Sequence, residues 1–340
     1  MTVLLTGGCG LVGANLLRRL LEEPEAEVIV LDLSAPDELL RQFLGTAVER
    51  ATFIQADVSS AEGLAAALSD VDTAGVRAIV HGAILDHVPQ WERDNTRAYA
   101  DVNLGGTINV LEWARRLPAL DVFVYVGSGS VYGEPSPGTP DGLQGEDGPM
   151  DPPEMYAITK YAAELVARRY GTLFGLDVRR VRLSGVFGPM ERPTSGRRLM
   201  SPVHALARAA VTQAPLRVTA RTLDSVGDHV SAQDVADGLA RLIAVERVAY
   251  PVYNLADGHL TSFRELLDLV EAAAVAVTVE VVGDASEADL DLDPANRLAR
   301  WNAYDIGRAR DDLGWSPRPL AEQLTSYLAW LGADPSSRTM

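Results

Sequence analysis

An α/β fold, a doubly wound parallel sheet with a smaller C-terminal α/β lobe, is predicted for this 340-residue chain by three observations. Short apolar runs alternate with helix-like segments through the first half, as in a parallel sheet covered on both faces. The first run passes directly into Thr6-Gly7-Gly8-Cys9-Gly10-Leu11-Val12-Gly13, a glycine-rich turn that opens a helix. After about Ser184 the alternation loosens, which marks a second lobe built from separated pieces of chain.

In chain order, strands are expected at 2–6, 27–32, 51–56, 77–83, 121–127, 178–183 and 251–255, where aliphatic and β-branched residues run together. Helices are expected from Leu11 to Glu22, Asp94 to Arg116 and Pro153 to Phe174. Gly133 to Pro153 is rich in Pro, Gly, Asp and Glu and reads as a loop crossing the surface. Residues 1–183, with 225–257 returning to them, make the expected sheet domain. Residues 184–224 and 258–333 make the lobe, and 334–340 a frayed tail.

Charge narrows the function. Forty-seven acidic against 30 basic residues leave a net charge of −17. That argues against nucleic acid, whose binding needs a basic footprint, and against an anionic membrane surface. No apolar run approaches the roughly 20 residues that span a bilayer, and the first strand starts at Thr2, with no room for a signal peptide before it. One cysteine, Cys9, excludes an intrachain disulfide and a cysteine-rich metal site. A cytoplasmic protein without a metal is expected.

Glycines at 7, 10 and 13 permit a tight turn, close backbone approach to a pyrophosphate, and close packing of helix on strand. Asp32 ends the second strand 19 residues after Gly13, near the spacing of a carboxylate that grips the adenosine ribose hydroxyls. A carboxylate there repels a 2′-phosphate, and Leu33 and Ser34 supply no positive charge to hold one. The sheet is therefore expected to be of Rossmann type, with NAD favoured over NADP.

Lys160 is the one lysine among the 30 basic residues, and it follows Tyr156 at helical spacing. Residues i and i+4 share a helix face, so the ammonium is expected beside the phenol. A fixed cation there lowers the tyrosine's ordinary pKa of about 10. The pair reads as a proton-transfer device, and its alternative is an ordinary surface pair on an amphipathic helix.

With these motifs in place the chain resembles the extended short-chain dehydrogenase/reductase family, also called the NAD-dependent epimerase/dehydratase family, over nearly its whole length. Gln55-Ala56-Asp57-Val58 follows the third strand, where the resemblance implies that Asp57 contacts adenine. Val80-His81-Gly82-Ala83 ends the fourth, placing Gly82, Ala83 and Ile84 beside the cofactor together with Leu11, Val12, Leu33 and Val58. Asp101-Val102-Asn103-Leu104-Gly105-Gly106 is similar to the central helix motif, with Asn103 as its structural asparagine among the catalytic set. Val126-Gly127-Ser128-Gly129-Ser130-Val131-Tyr132-Gly133 is similar to the strand-five motif and puts the catalytic hydroxyl on Ser128. Tyr253-Asn254-Leu255 and Leu313-Gly314-Trp315-Ser316-Pro317 also match. The resemblance implies that Ser128 orients the reacting oxygen, Tyr156 moves its proton, and Lys160 tunes the phenol and holds the nicotinamide ribose. It also implies a homodimer, formed by the helices that carry Asn103 and Tyr156.

Departures from the family pattern narrow the reaction. Gly129 and Ser130 stand where dehydratases carry an Asp-Glu pair, and no second lysine or further cysteine is present for 3,5-epimerization. Gly185 and Gly227 replace an asparagine and an arginine that often reach a sugar-nucleotide diphosphate. Against that, Arg192, Arg197 and Arg198 concentrate charge in one loop, where guanidinium forks suit a carboxylate or phosphate. They are expected, with Ser130 and Gly185, to meet a carbohydrate-like and possibly anionic substrate; the alternative is a solvated loop offsetting acidic neighbours. His87 and Trp91 are further candidates for the cleft wall, with helix packing and surface exposure as their alternatives. Three classes remain: a dehydrogenase acting on a secondary hydroxyl of a sugar, sugar acid or polyol, a nucleotide-sugar 4-epimerase, and a non-catalytic NAD-binding regulator. The dehydrogenase is preferred.

Overall fold

The computed structural model describes residues 1–134, 143–273, 276–292 and 302–333; the expected tail at 334–340 lies outside them. Alternation within each strand decides which side of the sheet a residue meets. In β1 (Thr2–Thr6), Val3 and Leu5 enter one core while Leu4 enters the other. In β2 (Glu27–Asp32), Val28 and Val30 join the first, Ile29 and Leu31 the second. Each such fully buried aliphatic chain contributes roughly 1.5–3 kcal/mol.

The remaining strands among the described residues are β3 (Ala51–Gln55), β4 (Val76–His81), β5 (Val122–Ser128), β6 (Leu143–Gln144), β7 (Val178–Leu183), β8 (Gly185–Phe187), β9 (Leu216–Thr219), β10 (Val226–Gly227), β11 (His229–Ser231), β12 (Val252–Leu255), β13 (Thr261–Ser262), β14 (Val279–Val282) and β15 (Ala303–Tyr304). Seven of them form one parallel sheet in the order β12-β7-β5-β4-β1-β2-β3. Chain direction across the sheet reverses at β1, so a crevice opens at the carboxyl ends of β1 and β4, the usual place for a dinucleotide.

The helix expected from Asp94 to Arg116 is not continuous. It is divided into Pro89–Asp94, Thr96–Tyr99, a wide π turn over Ala100–Gly106, and Thr107–Ala114. Asn95, with φ −136° and ψ 38°, interrupts the first break. At Gly106 a side chain would press on Val58, 2.8 Å away, so the wide turn lets the backbone lie against that residue. Such π turns often re-aim a functional side chain; here it is Asn103.

The segment expected as a surface loop is partly internal. Gln144 and Glu146 are buried, because the Glu146 carbonyl accepts from Arg182 Nη1 at 2.8 Å and its carboxylate accepts from Asn254 N at 2.9 Å. The second lobe has its own core of Phe187, Leu206, Val218, Phe263, Leu266 and Tyr327. Ala309, Leu313 and Trp315, expected in that lobe, pack instead in the core of the sheet domain. Among the described residues no helix is long and apolar enough to cross a membrane.

Candidate active site

A cleft of 790 Å³ runs along the carboxyl edge of the sheet and beneath the second lobe. Its floor begins at the glycine turn. Gly7 has φ +73°, and a Cβ there would lie 2.8 Å from Ala83 N; one at Gly13 would collide with the Gly7 carbonyl. Leu11–Leu20 has no side-chain cap, so its first-turn amides are left for an anion. Asp32 accepts from Cys9 N and Ser34 N, both at 2.9 Å, which fixes its carboxylate beside the turn. Leu11, Val12, Leu33, Asp57, Val58, Gly82, Ala83 and Ile84 line the same end. These residues fit a dinucleotide: glycines where side chains would block the approach, free helix amides for phosphate, and a carboxylate for ribose.

Asp32→Ala removes the carboxylate and loosens the turn it anchors. NAD affinity is expected to fall on the order of 10- to 100-fold, the range of lost charged hydrogen bonds, with discrimination against NADP relaxed. Fluorescence titration with both cofactors checks this; a wild type that already prefers NADP would contradict the assigned role of Asp32.

At the other end, β5 delivers Ser128 and the helix Met155–Phe174 delivers Tyr156 and Lys160. The Ser128 hydroxyl lies beside the Tyr156 phenol and 3.0 Å from Ser130 Oγ. Lys160 is buried; its Nζ donates to the Val126 carbonyl at 2.6 Å and sits 4.6 Å from the centre of the Tyr125 ring. Burial pulls the lysine down to about 7, offset in part by Glu164 and Asp86. It pushes the Tyr156 phenol up, with Asp86 adding to the rise and Ser128 and Arg197 opposing it. The expectation that Lys160 by itself lowers Tyr156 is therefore corrected. Burial outweighs the opposing cation, which is Arg197.

Asn103 does not line the cleft. Its Oδ1 accepts from Leu85 N at 2.8 Å, and its Nδ2 donates to the Leu85 carbonyl at 3.2 Å and Thr159 Oγ1 at 3.3 Å. It ties the segment after β4 to the tyrosine helix, which makes it a positioning residue. The arginines separate. Arg192 reaches the adenosine end and pairs with Asp37 at 2.9 Å. Arg197 pairs with Asp86 at 3.3 Å and Glu191 at 2.8 Å. Arg198 stacks on Trp91 at 5.1 Å, and neither of those two lines the cleft, whereas His87 does. No three-arginine cradle forms.

Three residues of the site escaped the sequence reading. Asp86, three residues past Ala83, enters the cleft beside Tyr156. Tyr304 places its hydroxyl where any side chain at Gly129 would stand, so the position that carries an acid in dehydratases is closed by packing. His229 sits between Gly185 and Gly227. Only Asp86 left a signal, an acid shortly past the end of the fourth strand.

The sequence model of the NAD dependent epimerase/dehydratase family matches residues 3–256. A putative UDP-glucose 4-epimerase of Methanocaldococcus jannaschii is 27% identical over 97% of this chain and 98% of its own. The UDP-glucuronate 4-epimerase of Thermodesulfobacterium geofontis is 26% identical over 96% and 95%. Among solved structures, the UDP-glucose 4-epimerase of Thermus thermophilus in complex with NAD is 25% identical, with TM-score 0.78 over 98% of this chain and all of that one. The match spans the glycine turn, Asp32, Ser128, Tyr156 and Lys160, and by it the chain is an NAD-dependent enzyme belonging to the NAD-dependent epimerase/dehydratase family.

Proposed function

We propose that the protein is a dehydrogenase that oxidises a secondary hydroxyl of a sugar, sugar acid or polyol-like substrate. The observation that carries this reading is the Ser128 hydroxyl beside the Tyr156 phenol in one cleft with Lys160, with Gly129 sealed by Tyr304 against the acid of a dehydratase. Ser128 holds the reacting oxygen. Tyr156 takes the alcohol proton, or returns it in the reverse direction. Lys160, anchored on Val126, is positioned to hold the ribose beside the reacting carbon. Bound NAD supplies the hydride acceptor and a positive charge that favours the tyrosinate. With both tyrosine and lysine present, a purely regulatory role is not favoured.

A compact substrate is favoured because Gly185 and Gly227 offer no cation and the cleft arginines are already paired with acids. The second reading, a nucleotide-sugar 4-epimerase, is favoured by full-length relatives named as UDP-sugar 4-epimerases. Absorbance at 340 nm with uronates, aldoses, polyols and UDP-sugars separates the two. NADH accumulating in step with product supports the dehydrogenase; interconversion of a UDP-sugar with no net change supports the epimerase.

A cytoplasmic homodimer completes the proposal. Ile158, Leu173 and Phe174 are exposed apolar residues of the tyrosine helix, suited to a symmetry mate. Sedimentation at micromolar concentration is expected to give a dimer, and a monomer alone would count against it.

A further inference from the structure

β11 lies parallel to β8 with His229 directly opposite Gly185, and β8 continues β7, whose Leu183 pairs with Ser128. The imidazole therefore stands along the same sheet edge as the reacting hydroxyl, about two residues further out. It lines the cleft at 9% exposure. Its Nδ1 is buried and has no hydrogen-bond partner among the described residues. That atom is shut away against Gly185, so the nitrogen left to meet a ligand in the cleft is Nε2.

The two neighbouring glycines are part of the same arrangement. A Cβ at Gly227 would lie 2.7 Å from His229 Nε2, and one at Gly185 would lie 3.2 Å from Nδ1 and 2.9 Å from the Asp228 carbonyl. The ring occupies the space that side chains at both positions would need. Asp228 holds β11 still, because its carboxylate accepts from Asp257 N at 2.8 Å, Gly258 N at 2.9 Å and Tyr304 N at 3.2 Å. The imidazole is thus a fixed polar group facing the cleft.

We propose that His229 is the specificity residue of a substrate subsite, hydrogen-bonding an uncharged hydroxyl-bearing part of the substrate and refusing a diphosphate. Burial pushes the ring down to about 4, so it is neutral at pH 7. A neutral imidazole offers one donor and one acceptor, which matches a hydroxyl. A diphosphate presents only acceptors and is held best by cations. The cleft arginines are already engaged, Arg192 by Asp37 and Arg197 by Asp86 and Glu191. This inference rests on the carbohydrate-oxidising reading above and names the chemistry of the substrate's far end.

The test uses the NAD-loaded protein in two arms. In the first, calorimetry with UDP as probe is expected to give a Kd weaker than 1 mM, and micromolar binding would overturn the proposal. In the second, the best-converted uronate, aldose or polyol is followed with His229→Phe, His229→Gln and Gly227→Ala. His229→Phe is expected to raise KM on the order of 10-fold, the effect of one lost hydrogen bond to a buried group, with kcat and NAD affinity within a few-fold. His229→Gln restores most of that loss, and Gly227→Ala, which crowds the ring without removing it, raises KM in the same direction. An unchanged KM in both His229→Phe and Gly227→Ala overturns the subsite while leaving the dehydrogenase reading intact. If no sugar yields NADH, that reading fails, and the UDP arm still decides the subsite.

Discussion

Tyr156→Phe is expected to lower kcat by about 10²- to 10⁴-fold, the usual worth of a positioned proton-transfer group, with NAD affinity changed no more than a few-fold. Phenylalanine keeps the ring and its burial, so packing against Leu85 and Tyr99 survives. What is lost is one oxygen, which lies beside the Ser128 hydroxyl. Because Ser128 retains its contact with Ser130 at 3.0 Å, substrate positioning survives in part and KM moves less than kcat. Steady-state kinetics beside a cofactor titration check this. Near-normal turnover would remove Tyr156 from the chemistry.

Lys160→Arg carries the second large effect, a loss of kcat/KM on the order of 10²-fold, similar to misplacing a catalytic group by about 1 Å. The lysine is 2% exposed, wedged between the Val126 carbonyl and the face of Tyr125. Tyr125 is itself held by a hydrogen bond from its hydroxyl to the Lys160 carbonyl at 3.0 Å. A planar guanidinium is broader than an ammonium and does not fit that slot without displacing one wall. Every other basic residue in this chain is arginine, so the exception has a steric reason.

The same lysine gives a pH signature. Its folded-state value near 7 lies below the ordinary 10.5. Between those values the unfolded chain binds the extra proton, so this group's contribution to stability rises with pH across the window and is smallest below pH 7. Lys160→Met removes that dependence. The wild-type Tm minus the variant Tm, measured without NAD, is expected to increase by several degrees between pH 6 and pH 9.5. A constant difference would show that the buried lysine does not titrate in that range.

The cofactor end was legible because its requirements are local. Gly7, Gly10, Gly13 and Asp32 lie within two strands and one turn, and each residue type there has few substitutes. The tyrosine helix was legible for the same reason. The π turn at Ala100–Gly106 was hidden because the helical pattern of apolar residues runs through it, and the close approach of Gly106 to Val58 beside it is a tertiary contact. The arginine loop misled because Asp37 and Asp86, which engage Arg192 and Arg197, lie far from it in the chain, while Glu191 in the loop itself folds onto Arg197. Likewise Gly185 and Gly227 read as two losses until the fold put one imidazole between them.

The central claim is that the Ser128–Tyr156–Lys160 end of the cleft serves hydride transfer between a carbohydrate secondary carbon and NAD. Sugars, sugar acids, polyols and UDP-sugars deuterated at their carbinol carbons, incubated with the NAD-loaded protein and quenched during turnover, test it by mass spectrometry of the nicotinamide. The account predicts one deuterium on the nicotinamide with the wild type and none above background with Tyr156→Phe. Net oxidation of any of these substrates with an unlabelled nicotinamide would contradict it.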